Sequence, residues 1–161
     1  MTQLWVKSMA DWLAPVWVVL ENAVQPKKIF FRDDDAGWEH DRLFQLLEIF
    51  AQTNVPIDLA VIPAALEKDL AETLIKYQKR QSLGLHQHGF SHMNHETQGR
   101  KCEFGDSRNS KMQTIDIANG QARLRSLLGE HIDPIFTPTW NRCSQITVEC
   151  LELLDFRVLS R

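Results

Sequence analysis

With 161 residues, 43% of them hydrophobic and 24% charged, the chain has the profile of a globular protein with one core rather than a disordered one. Its formal net charge of -3 supplies no basic excess to displace counterions from phosphates, which argues against a nucleic-acid partner. Cys102, Cys143 and Cys150 are odd in number and lack CxxC spacing. They fit neither a disulfide framework nor a thiolate zinc site, and reduced thiols in a cytoplasm are the simpler reading.

Taken in chain order, the apolar stretch 12–20 is too short to span a bilayer, and Pro15 interrupts it. Only Lys7 precedes it and no small-residue cleavage pattern follows, so neither a membrane span nor a signal peptide is expected. Trp5, Met9, Trp12, Val16 and Leu20 recur at helical spacing, which predicts a helix over about 2–22 laid against the core. A membrane-surface helix is the weaker alternative, because its polar positions are not basic.

Residues 28–32 form a β-branched and aromatic run after Pro26 and read as a buried strand. Residues 40–52 carry Leu43, Leu46, Leu47 and Phe50 at helical spacing. A second strand, 57–62, lies between Pro56 and Pro63, and a helix over 67–80 places Leu70, Leu74 and Tyr77 on one side. Its Lys76, Lys79 and Arg80 read as a solvated helix end. Residues 82–88 are a third strand, where Gly84 allows close approach of another group. The polar stretch 89–110 is too long for a mere connection and is expected to be functional. A helix over 114–128 closed by Gly129, a strand over 134–137, a helix over 144–154 and a strand over 156–159 complete the order. This alternation predicts an α/β protein, a parallel sheet or barrel of βα units over 28–161 in a single domain. In such folds the chemistry collects at the C-terminal ends of the strands, where Asp33, Asp34, Asp35, His88 and the 138–140 segment fall.

Adjacent carboxylates at the end of an apolar strand repel one another and lose hydration unless a cation or a proton compensates. A helix N-cap cluster ahead of the 40–52 helix is the plainer alternative. Four of the six histidines, His86, His88, His92 and His95, lie within residues 85–95. His88 and His92 stand four apart, so one helical turn would put both on one side. Two imidazoles and one carboxylate leave positions open on a metal, as a catalytic site requires; a tag-like surface patch is the alternative. His86 shares the strand face of His88, whereas the lone His40 and His131 read as surface residues.

In this order, Arg32-Asp33-Asp34-Asp35-Ala36-Gly37, His88-Gly89-Phe90-Ser91-His92 and Phe136-Thr137-Pro138-Thr139-Trp140 resemble three motifs of the polysaccharide deacetylase family, the NodB-homology domain. Those motifs are Asp-Asp, His-(Ser/Thr)-x-x-His and Arg-Pro-Pro-Tyr. The resemblance implies a distorted (β/α) barrel, one divalent metal with zinc foremost, and removal of an acetyl group from an N- or O-acetylated carbohydrate. Position by position, it implies that Asp34 is the general base and that Asp35, His88 and His92 are the metal ligands. A frame shifted by one gives those first two roles to Asp33 and Asp34, and strand alternation alone does not decide. Gly89 stands where the family has Ser or Thr. Thr137 stands in place of the family arginine, so that role is vacant or passes to Arg142. Trp140 and Trp38 offer aromatic faces to a sugar, or pack in the core. The loop carrying Lys101 and Glu103 resembles a substrate-side loop, with a surface salt-bridge strip as the alternative. Asp33, His86 and His95 are expected behind the ligands.

The family's late Leu-x-His motif, which supplies the proton for the leaving amine, does not occur before Arg161. The expectation is a barrel incomplete at the C-terminus, matching about the first two-thirds of a family domain by element count. The alternative to an incomplete chain is an acid from His86, His95 or a partner chain; an incomplete barrel would self-associate through an exposed strand edge at 156–159. Two other readings remain open at this point: a metal amidohydrolase acting on a small amide, and a non-catalytic metal- or carbohydrate-binding module.

Overall fold

Segments that can be buried on both faces become inner strands, and the rest of the architecture hangs on them. The computed structural model describes residues 9–161. Five parallel strands, β1 (Arg32–Ala36), β2 (Ile57–Val61), β3 (Leu83–His88), β4 (Ile135–Thr137) and β5 (Val158–Leu159), pair in sequence order. The helices α2 (His40–Thr53), α3 (Lys68–Gln78), α4 (Ser110–Leu128) and α5 (Gln145–Leu153) connect successive strands, and α1 (Met9–Glu21) precedes them. Leu59 and Val61 of β2 and Leu83 and Leu85 of β3 share a core with Leu43 and Leu47 of α2, Leu70 and Leu74 of α3, and Leu124 and Leu128 of α4. A second core gathers Phe104, Ile117, Phe136, Cys150 and Leu151, with Phe136 edge-on to Phe104 at 5.6 Å and to Phe156 at 5.7 Å.

The sheet curls. Four strand spacings would separate β1 from β5 by about 19 Å in a flat sheet, more than one side chain can cross. Yet Arg32, at the start of β1, donates from Nη1 to Ser160 Oγ at 2.6 Å, just beyond β5. From Nη2 it donates to Asn141 Oδ1, also at 2.6 Å. Opposite ends of the sheet therefore face each other across an interior, as in the expected (β/α) barrel. The interior faces of the strands carry Arg32, Asp58, Gly84, His86 and His88, while the leucines face the helices.

Three elements differ from their expected form. The first strand begins at Arg32 rather than at 28, so the aspartates lie within it. Ile29, Phe30 and Phe31 are exposed, because the ladder starts only where Asp58 N–H donates to the Phe31 carbonyl at 2.9 Å. The helix expected to pack on the core is present as α1, but Trp12, Val16, Trp17, Val18 and Val19 are all exposed on it. Helical spacing describes one face, and among the described side chains of α1 only Leu13 and Leu20 are even partly buried; the part of that helix containing Trp5 lies outside the described residues. Finally, α4 starts at Ser110 because Asn109 caps it, accepting the Met112 N–H at 3.0 Å four residues before the expected start. No helix among the described residues is long and apolar enough to cross a membrane.

Gly84 does allow the close approach expected of it, since a Cβ there would collide with the Asp58 carboxylate. Burial first, and then the charge of Asp133, raise the Asp58 pKa above 3.8. A raised carboxyl pKa stabilises the fold fully below the unfolded value, and that contribution is lost as pH rises through the folded value. Asp58→Asn is therefore expected to raise the melting temperature at neutral pH, with the gain shrinking as pH falls through the raised folded value and gone below about pH 3.8, where the wild-type group is protonated in both states. A neutral-pH melting temperature equal to or below that of the wild type would contradict this.

Candidate metal centre

Alternation alone would send Arg32 and Asp34 to the interior and Asp33 and Asp35 to the helix layer. Asp33 does pair in register with Leu59, whose side chain belongs to the helix-side core. Between Asp33 and Ala36, however, three residue steps of β1 span two of β2, from Leu59 to Val61, and Asp35 takes φ 68°. This bulge reverses the direction of one side chain, as such irregularities do beside active sites. Asp35 Oδ1 consequently lies 3.0 Å from His88 Nε2 and 3.1 Å from His92 Nε2.

His88 reaches the site from the end of β3. Its Nδ1 donates to the Thr137 carbonyl at 3.1 Å, which leaves the Nε2 lone pair facing Asp35. His92 follows a turn that begins at Gly89 (φ 53°), and it holds φ 57° itself. Its ring lies between Trp140, at 4.4 Å between centroids, and Trp38, at 4.9 Å. Among the described residues, Asp35, His88 and His92 form the one set of potential ligands whose atoms all lie within 4.8 Å of one another. The donor set fits a divalent ion. Two imidazole nitrogens turned towards one carboxylate oxygen need something positive between them, and N2O ligation suits zinc and its neighbours.

Asp34 sits beside this set without joining it. Its Oδ1 and Oδ2 accept from Arg32 Nε at 2.7 Å and Nη2 at 3.2 Å, a two-pronged pair. Burial raises the Asp33 pKa, with smaller contributions from the charges of Asp34 and Asp35. His86, on the face of His88, is pushed down to about 4 by burial and by Arg32. It contacts Thr137 Oγ1 through Nε2 at 2.8 Å, while its buried Nδ1 has no hydrogen-bond partner. Burial also lowers the His88 pKa. A cleft of about 440 Å³ opens beside the aspartates, walled by Trp38, Arg42, Leu43 and Leu46.

No family profile matches the sequence, and no curated protein matches it. Solved structures do. IcaB from Ammonifex degensii superposes with a TM-score of 0.70 at 15% identity, over 88% of this chain and 62% of its own. A Streptococcus mutans CE4 esterase gives 0.66 at 16% identity, over 91% and 60%. A CE4 family pseudoenzyme from Bacillus anthracis, BA3943, gives 0.65 at 12% identity, over 83% and 43%. The chain has the CE4 deacetylase fold. It spans between 43% and 62% of the length of these three CE4 structures.

Several other residues singled out in the sequence take the following positions. Glu103 is fully buried, with its carboxylate turned to the backbone of residues 90 and 91, so it is not a substrate-facing side chain. Arg142 donates to the Lys101 carbonyl at 3.1 Å and does not pair with Asp34. Lys101 itself lies over the Trp140 ring at 5.9 Å. His95 is absent from the ligand set and donates its backbone N–H to the Cys102 carbonyl at 3.0 Å. The residue that sequence reasoning missed is Arg32. Its signal was the Arg-x-Asp spacing, which places guanidinium and carboxylate on one strand face.

Arg32 joins Asp34, Ser160 and Asn141 through one guanidinium. Hydrogen bonds to charged groups contribute about 1.5–3 kcal/mol, so Arg32→Ala should lower unfolding stability by roughly that amount, and Arg142→Ala, an exposed contact, by about 1 kcal/mol or less. Urea denaturation of both variants checks the order.

Proposed function

We propose that the chain is a metal-dependent hydrolase that removes an acetyl group from an acetylated carbohydrate. The convergence of Asp35, His88 and His92 within 4.8 Å, on the rim of a CE4-type fold, carries this reading. Those three residues would hold the ion, with zinc favoured by the donor set. When bound, a divalent ion supplies a Lewis acid for water and for the acetyl carbonyl.

The chain's own residues do the rest. Asp34 accepts the proton of the attacking water at its carboxylate, and Arg32 fixes that carboxylate through two hydrogen bonds. Trp38 and Trp140 flank His92 and present apolar faces on which a sugar ring can lie. The imidazole of His88 is held by the Thr137 carbonyl and needs no reorganisation during the reaction. His86 is sealed by burial and engaged by Thr137, so the leaving-group proton is assigned to His95, to a partner chain or to the part of a CE4 domain that this chain does not span. A second reading is binding without turnover. The fold match to a CE4 pseudoenzyme favours it, because a shared fold does not carry activity with it.

Two measurements separate these readings. Untagged protein should retain close to one divalent ion by elemental analysis, and His92→Ala and Asp35→Asn should each lose it with the fold intact. Equal metal in wild type and variants would overturn the assignment. Asp34→Asn should keep the ion while turnover of acetylated chito-oligosaccharides falls by about 10²–10⁴-fold. Metal retention with no turnover in the wild type would favour the binding module.

A further inference from the structure

Glu103 has no part in the chemistry above, yet it is among the most deeply buried charged-type side chains, at 0% exposure. A carboxyl group withdrawn from water is unfavourable unless its oxygens find donors. Its donors all come from one place. Oε1 accepts the Ser91 N–H at 2.7 Å and the Ser91 hydroxyl at 3.0 Å, and Oε2 accepts the Phe90 N–H at 3.3 Å. No Lys or Arg side chain among the described residues forms an ion pair with it. Arg108 reaches only the Glu103 backbone carbonyl and pairs with Asp116 at 2.6 Å.

Residues 90 and 91 belong to the three-residue segment between the two histidines of the candidate metal centre. The turn is bracketed by left-handed residues, Gly89 at φ 53° and His92 at φ 57°. A histidine in that region is strained and stays there only when its surroundings over-determine it. Gly89 explains how the carboxylate gets in. A Cβ at position 89 would collide with Glu103 Oε2 and with Thr139 Cγ2. The missing hydroxyl at position 89 is thus matched by a carboxylate delivered from the polar loop.

We infer that Glu103 is the positioning residue of the metal centre: its carboxylate clamps the Phe90 and Ser91 amides and thereby fixes the His92 imidazole in the direction of Asp35 and His88. This rests on the metal-binding reading of the same site. Residues that orient ligands in this way change metal affinity by about 10–100-fold when replaced.

Glu103→Gln keeps the shape but replaces one accepting oxygen by an NH2 group, which must face an N–H. Competition titration with zinc is expected to show affinity lowered about 10–100-fold, and the visible spectrum of the cobalt-loaded chain should change. Hydrogen exchange of the Phe90 and Ser91 amides should accelerate in the metal-free chain. Asp116→Asn serves as the control for general loop damage; it should lower the melting temperature and leave zinc affinity unchanged. If Glu103→Gln does not fold, Ser91→Ala removes one clamp bond and should show the same changes at smaller size. Unchanged zinc affinity and unchanged exchange in the folded variant would overturn the inference. A wild-type chain that binds no ion would sink the metal reading instead, and the exchange measurement would still report on the clamp: unaltered Phe90 and Ser91 rates would overturn it as well.

Discussion

Three adjacent carboxylates cannot share one face of a strand without strong mutual repulsion, and the way β1 separates them sets everything built around the site. Asp33 goes to the helix layer in register with Leu59, Asp34 goes to the interior against Arg32, and the bulge before Ala36 turns Asp35 to the rim. Each ends in a different chemical setting: a carboxyl whose pKa burial raises, an ion-paired carboxylate, and one that meets two imidazoles. One extra residue in one strand therefore yields three distinct groups from three identical side chains.

Arg32 links that separation to the shape of the sheet. Its guanidinium joins the carboxylate of Asp34 to Ser160 and Asn141, so the residue that orients the candidate base also ties the first strand to the far side of the curl. Asn141 adjoins Trp140, and both adopt left-handed conformations, with φ 55° and 54°. The strained turn that aims the tryptophan at His92 is thus held from the same guanidinium. Site geometry and barrel curvature are coupled through one side chain.

The polar loop between β3 and α4 plays a supporting part from within. Cys102, Glu103, Phe104, Gly105 and Arg108 are buried, and Phe104 anchors the second core. Of its charged residues Glu103 and Arg108 point inward while Arg100, Lys101 and Asp106 are exposed, which is why charge alternation along the sequence misplaced Glu103 at the surface. The pattern of charges was real, but the direction of each side chain depended on which amides lay within reach.

The sequence by itself determined the order of strands and helices, because alternating apolar periods are local properties of the chain. It also determined which histidines and aspartates stand near strand ends, and the motif order that resembles the deacetylases. Two local expectations failed for the same reason: the periodicity of residues 12–20 and the apolar run 28–31 say that a face is apolar, not that anything covers it. Tertiary structure decided the rest. Only pairing with β2 could create the bulge that sends Asp35 rather than Asp34 to the two imidazoles, since both frames are equal along the strand. Only the curl of the sheet could bring Arg32 to Ser160, 128 positions away in sequence. Only the packed loop could put the Glu103 carboxylate against Gly89, because a contact between distant segments depends on the space left by a missing Cβ, which no local pattern records.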